Sequence, residues 1–147
     1  MKVSTILKQK GDKVYTISAD DTLRDMVREM LALHIGSLLV LEEDGSIAGI
    51  VTERDLLRNL AKRGADWEET RIGDVMNTDV FTGTPEETID EVMHKMTEHR
   101  IRHLPVVEHG KVVGVLSMGD IIKASLDETT FQNKLMKRYI KNWPEDE

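Results

Sequence analysis

Thr52-Glu53-Arg54-Asp55 and Ser117-Met118-Gly119-Asp120 each place a hydroxyl three residues ahead of a carboxylate. Both follow an apolar run that contains a glycine, Gly49 or Gly114. Two kinds of chemistry fit that spacing. A hydroxyl with an acid three residues on forms a capping box, and capping alone accounts for both residues. Alternatively, the glycine admits close approach to a strand end. The hydroxyl and the helix amides then donate to an anion, while the aspartate accepts a pair of vicinal hydroxyls such as those of ribose. The two roles are compatible in one residue.

A second constellation is Glu98-His99-Arg100-Ile101-Arg102-His103-Leu104-Pro105, where basic and titratable side chains stand at the handover from a helix to a strand. An extended backbone points Arg102 and His103 to opposite sides, and an arginine fork suits a phosphate. Pairing of these arginines with surface acids fits as well. The matching stretch upstream is His34-Ile35-Gly36-Ser37, so one copy supplies cations where the other supplies room. His99 and His103 have the spacing of a helical metal pair, but the strand beginning at Leu104-Pro105 breaks that geometry and no third ligand is evident. His94 and His109 read as surface residues. There is no glycine-rich dinucleotide fingerprint, no phosphate loop ending in Gly-Lys-Ser/Thr and no nucleophile elbow. His103 is the only candidate base. The residues describe a binding site without a catalyst.

The elements that must position these residues occur twice. Val14 to Glu42 matches Val80 to Glu108 at a constant offset, and Gly45 to Leu57 matches Gly110 to Ile122 after a one-residue deletion. Each copy reads strand, helix, strand, strand, helix. Val14-Tyr15-Thr16-Ile17 opens the first, followed by Ser18…Asp21 as a cap and by Leu23, Met26, Val27, Met30 and Leu31 at helical spacing. Thr84-Pro85-Glu86-Glu87 fills the capping role in the second, ahead of Ile89, Val92, Met93 and Met96. Two apolar strands then turn at Asp44-Gly45 or near His109-Gly110, and Pro105 confines its strand to an edge or an opening position. Helices beginning near Thr52 and Ser117 close each copy. Val3-Ser4-Thr5-Ile6-Leu7 and Ile72-Gly73-Asp74-Val75-Met76 form short lead-in helices. The first continues into Lys8-Gln9-Lys10-Gly11-Asp12, which is long enough to fold over a site and add lysines to it. The division that follows is 1–66 for the first repeat with lead-in and linker, and 67–126 for the second. Residues 127–147 form an amphipathic C-terminal helix with an acidic tail, its apolar face carrying Phe131, Leu135, Tyr139 and Trp143.

The bulk numbers narrow the classes. The chain has 147 residues, 39% hydrophobic and 32% charged, with a net charge of −7. That acidity argues against nucleic-acid and anionic-membrane partners, and no apolar run approaches a membrane span. Zero cysteine removes disulfides and thiolate chemistry and points to a reducing, cytoplasmic setting.

The repeated unit resembles the CBS domain (named for cystathionine β-synthase), and the pair resembles a Bateman module of the stand-alone bacterial or archaeal type. The likeness rests on Gly49-Ile50-Val51-Thr52-Glu53-Arg54-Asp55-Leu56, on His99 to Val107, on Gly114-Val115-Leu116-Ser117-Met118-Gly119-Asp120 and on Val75-Met76. It spans roughly Val3 to Leu126. It implies an α+β fold of two tandem β-α-β-β-α repeats with pseudo-twofold symmetry, up to two adenine-nucleotide clefts between the repeats, and a homodimer. Asp55 and Asp120 would then bind ribose, Thr52 and Ser117 phosphate, and Arg102 and His103 would serve as phosphate cations. Thr16 and Thr82 would line the adenine pocket, with Ile35, Ile101 and Pro105 as apolar walls. Arg54 also belongs to this set; it stands opposite Gly119, so the two clefts differ in charge. The implied function is a non-catalytic regulatory sensor of adenosine-bearing ligands (AMP, ADP, ATP, NAD(H) or S-adenosylmethionine, with AMP foremost) acting on a protein in trans and requiring no cofactor. The alternative is a ligand-free homodimerisation or adaptor module that works through its C-terminal helix.

Overall fold

A computed structural model of the chain describes residues 1–11, 13–127, 138, 140 and 141. The secondary structure is mixed α+β and repeats, with two two-stranded antiparallel sheets and the helices that cover them. In chain order the elements are α1 Val3–Lys10, α2 Leu23–Leu33, β1 Ser37–Leu41, β2 Ile47–Thr52, α3 Glu53–Arg63, a 3₁₀ helix Gly64–Glu69, α4 Ile72–Val75, α5 Ile89–His99, β3 His103–Glu108, β4 Lys111–Ser117 and α6 Met118–Leu126. Most of the expected C-terminal helix, with Phe131, Leu135, Tyr139 and Trp143, lies outside the described residues.

The chain forms two compact units. One is the contiguous stretch Val14–Val80; the other joins Met1–Lys13 to the described residues from Phe81 onward. The expected division at 66/67 follows the order of the repeats, but the packing cuts the chain differently, because each lead-in helix serves the other repeat. The first backbone amides of α1 find partners in the turn before α5: Val3 N–H donates to Glu87 O and Ser4 N–H to Pro85 O, both at 2.9 Å. In the contiguous unit the same bonds run from Ile72 N–H to Asp21 O at 2.8 Å and from Gly73 N–H to Ala19 O at 2.9 Å. These amides are the orphans of a helix N-terminus, and the turn carbonyls satisfy them.

Each core follows from the same exchange. Val3 and Ile6 of α1 are buried with Ile89, Val92, Met93 and Met96 of α5, Leu104, Val106 and Leu116 of the sheet, and Met118, Ile121 and Ala124 of α6. Ile72 of α4 is buried with Leu23, Met26 and Met30 of α2, Leu38, Val40 and Val51 of the sheet, and Ile17. The strand glycines make room for the lead-ins. A methyl group at Gly114 would lie 2.6 Å from Leu7 Cδ2, and one at Gly49 would lie 2.8 Å from Met76 Sδ and 3.0 Å from the Asn77 carbonyl.

Two local expectations change. The capping boxes that start α2 and α5 are Thr22–Asp25 and Thr88–Glu91, one turn later than Ser18…Asp21 and Thr84…Glu87. The earlier motifs fold into turns held by Ser18 N–H to Asp21 Oδ2 (3.2 Å) and Thr84 N–H to Glu87 Oε1 (2.8 Å). The helix begins at the later box because the first buried apolar residues, Leu23 and Ile89, immediately follow it. The expected opening strands contract to single parallel bridges, Thr16 with Leu39 and Gly83 with Val106.

Candidate functional site

In the contiguous unit, β1 and β2 pair so that Ser37 faces Thr52 at the end where β2 passes into α3. Thr52 caps α3, and Asp55 closes the box: its Oδ2 accepts Thr52 N–H at 2.9 Å and Thr52 Oγ1–H at 3.3 Å. Asp55 is 8% exposed, with Arg58 of the next turn 3.5 Å from its Oδ1 and Asn59 Nδ2 donating to its backbone carbonyl at 2.8 Å. Beside Gly36, where the sequence suggested room, lies the carboxylate end of the flexible Glu53 side chain, and Glu53 N–H bonds to Gly36 O at 3.1 Å. Arg54 is exposed on α3. Thr16 is exposed at its bridge to Leu39, and Ile35 packs half-buried against the core.

The other unit repeats this construction. His103 faces Ser117 across β3 and β4, and Met118 N–H donates to Arg102 O at 2.9 Å, as Glu53 does to Gly36. Ser117 caps α6, donating its N–H to Asp120 Oδ2 at 2.8 Å and accepting Asp120 N–H on Oγ at 3.1 Å. His103, the first residue of β3, is half-buried, and Arg102, in the bend before it, is exposed. Arg100 ends α5 in the left-handed region (φ 54°), as His34 ends α2 (φ 56°). That turn and the strand starting at His103 disrupt the helical spacing a His99–His103 pair would need. Instead, His99 stacks on Phe81, ring centroids 3.8 Å apart. Pro105 is buried in β3, where its carbonyl accepts Gly83 N–H at 2.9 Å; its missing N–H is harmless in a two-stranded sheet. Ile101 packs half-buried on the core, and the Thr82 carbonyl accepts from Lys95 Nζ at 2.8 Å.

One feature distinguishes the units. Lys10, the last residue of α1, extends to the β4–α6 junction, where its Nζ donates to Asp120 Oδ2 and to the Val115 carbonyl, each at 2.7 Å. Burial raises the Asp120 carboxyl, but the Lys10 ammonium and the Ser117 N–H outweigh it and hold the group below its ordinary value. Sequence reasoning anticipated that the long lead-in would bring lysines over a site. It could not tell which lysine, which carboxylate, or that the partner lay in the other repeat. Arg58 and Asn59 around Asp55 were missed; their i+3 and i+4 positions on α3 were the available signal. Among the described residues, no group of three His, Asp or Glu side chains could hold a metal ion.

These features define a tandem α+β repeat protein whose recurring element is a strand ending on a hydroxyl, with a carboxylate held one helical turn beyond it. The chain belongs to the CBS domain family, whose model matches residues 7–62 and 72–127. It is 34% identical over 146 residues to the mitochondrial CBS domain-containing protein CBSX3 of Arabidopsis thaliana, covering 94% of this chain and 71% of that one. The crystal structure of the CBS-domain protein ATU1752 from Agrobacterium tumefaciens superposes with a TM-score of 0.81 at 35% identity, covering 84% of this chain and 98% of that one. The CBS domain pair of protein MJ0100, solved with methylthioadenosine and S-adenosyl-L-methionine, superposes with a TM-score of 0.76 at 25% identity over 88% of this chain and 98% of that one.

Proposed function

We propose that the protein is a non-catalytic regulatory module that takes an adenosine-bearing ligand on its Thr52–Asp55 and Ser117–Asp120 junctions. The observation that carries this is Asp120, whose carboxylate holds its own helix cap and also accepts a donor from outside that helix at 2.7 Å. An ionised carboxylate has about four acceptor sites, so one that holds its cap can still accept donors from outside its own helix, as a pair of ribose hydroxyls would require. The adenosine compounds bound to the MJ0100 domain pair support the same ligand class. Thr52 and Ser117, with Arg54, Arg102 and His103, would meet phosphate; Thr16, Thr82, Ile35, Ile101 and Pro105 would shape the base pocket. AMP is the foremost candidate ligand.

Action on a protein in trans, from a homodimer in a reducing, cytoplasmic setting, belongs to the same reading. Zero cysteine supports the compartment, and Leu31 and Leu57, 72% and 65% exposed on α2 and α3, offer apolar surface for a second copy. No helix among the described residues is long and apolar enough to cross a membrane.

The test is a thermal-shift panel with AMP, ADP, ATP, NAD, NADH and S-adenosylmethionine, with GMP as control, on protein stripped of ligand. A ligand at about 100 times its dissociation constant adds roughly 2.7 kcal/mol, about 5–10 °C for a chain of this size. The expected result is a selective shift lost in Asp55→Asn or Asp120→Asn. No shift above about 1 °C with any nucleotide would overturn the sensor reading in favour of an adaptor.

A further inference from the structure

Lys10 is an intramolecular occupant of the carboxylate to which the ligand reading assigns the ribose. Asp120 Oδ2 accepts the Ser117 N–H at 2.8 Å and the Lys10 ammonium at 2.7 Å. A carboxylate oxygen offers about two lone-pair sites, so this oxygen is saturated. A ribose diol that donates to both carboxylate oxygens needs one of those sites. The Ser117 bond is part of the cap that starts α6, so Lys10 is the partner that must leave. Once displaced from Asp120, its ammonium keeps at most the Val115 carbonyl, in a setting where the Lys10 side chain is only 34% exposed. A phosphate on the incoming ligand can take that ammonium; a neutral or cationic ligand leaves it with weaker partners.

The contiguous unit has no such device among its described contacts. The partners of Asp55 lie on its own junction and helix: Thr52 and, at 3.5 Å, Arg58. Aligning Ile72 with Val3 puts an acid, Asp79, at the position of Lys10.

We propose that Lys10 sets the ligand class of the Ser117–Asp120 junction, competing with ribose for Asp120 and admitting nucleosides that carry a 5′-phosphate in preference to those that do not. This rests on the reading of the junction as a ligand site.

The experiment is titration calorimetry of the full chain with AMP and with adenosine, following the binding component that Asp120→Asn removes. In Lys10→Met, which keeps the apolar stem and leaves Val3 and Ile6 in the core, adenosine should bind about tenfold tighter or more, and the preference for AMP should collapse. Lys10→Arg should retain that preference. If both ligands bind through Asp120 and their ratio is the same in Lys10→Met, the role of Lys10 is overturned while the ligand site stands. If neither ligand gives a component sensitive to Asp120, the site reading fails and takes this inference with it.

Discussion

The Lys10–Asp120 pair makes a stability prediction independent of any ligand. The two side chains are 34% and 22% exposed and meet at 2.7 Å. Fully exposed pairs contribute about 0.2–1 kcal/mol, and breaking a fully buried one costs roughly 3–5 kcal/mol. This half-covered pair should therefore show a coupling energy of about 1 kcal/mol, or roughly 2–4 °C in Tm. The assay is a double-mutant cycle of Lys10→Met and Asp120→Asn by urea unfolding. The amide oxygen of Asn can still accept the Ser117 N–H, so the cap survives and the cycle isolates the ion pair. Because the Asp120 carboxyl titrates lower in the folded protein than in the unfolded chain, its stabilisation is complete above the unfolded value of about 3.9 and fades as pH falls through the folded one. The coupling should hold steady from neutral pH to about 5 and decline below about 4. A coupling under about 0.3 kcal/mol at neutral pH, or one that grows on acidification, would refute the reasoning.

Three further outcomes follow from the packing. Gly49→Ala should destabilise the protein by about 1–3 kcal/mol, since the new methyl group meets the Asn77 carbonyl as well as Met76; the change in urea midpoint measures it, and a neutral effect would mean that the segment after α4 yields freely. Thr88→Ala should cost about 1 kcal/mol in the same assay by opening the Thr88–Glu91 box, while Thr84→Ala, whose side chain caps no helix, should cost less. Leu57→Glu should weaken self-association in light scattering with little effect on the monomer, because Leu57 is 65% exposed; an unchanged mass would assign α3 no part in a dimer.

The repeat itself was legible because its apolar stripes and turn residues recur in register, and the structure returns two sheets and their covering helices. The strand-to-helix junctions were legible for a local reason, since a hydroxyl and an acid three residues apart meet within one turn. What failed also failed locally. Ser18…Asp21 and Thr22…Asp25 are both boxes by sequence, and only burial of Leu23 decides which begins the helix. Gly49 and Gly114 were read as points where a ligand could approach the strand end; the groups that lie against them in the structure are the chain's own Met76 and Leu7. Partner choice was out of reach. Val3 and Ile6 show an apolar face, and nothing in their spacing tells which repeat will cover it.

The exchange of lead-in helices bears on how the chain is made. Val14–Val80 is one uninterrupted stretch and can close its core as soon as it leaves the ribosome. The other unit cannot: Leu7 must wait for Gly114, which emerges about 5–20 s later at ordinary elongation rates. Until then Val3, Ile6 and Leu7 are a short apolar segment of the nascent chain without the core that covers it, exposed to chaperones and to neighbouring chains. A rearranged gene in which the segment from Phe81 onward is placed ahead of Met1 would remove that wait, and its folding yield would show how much the natural order of synthesis costs.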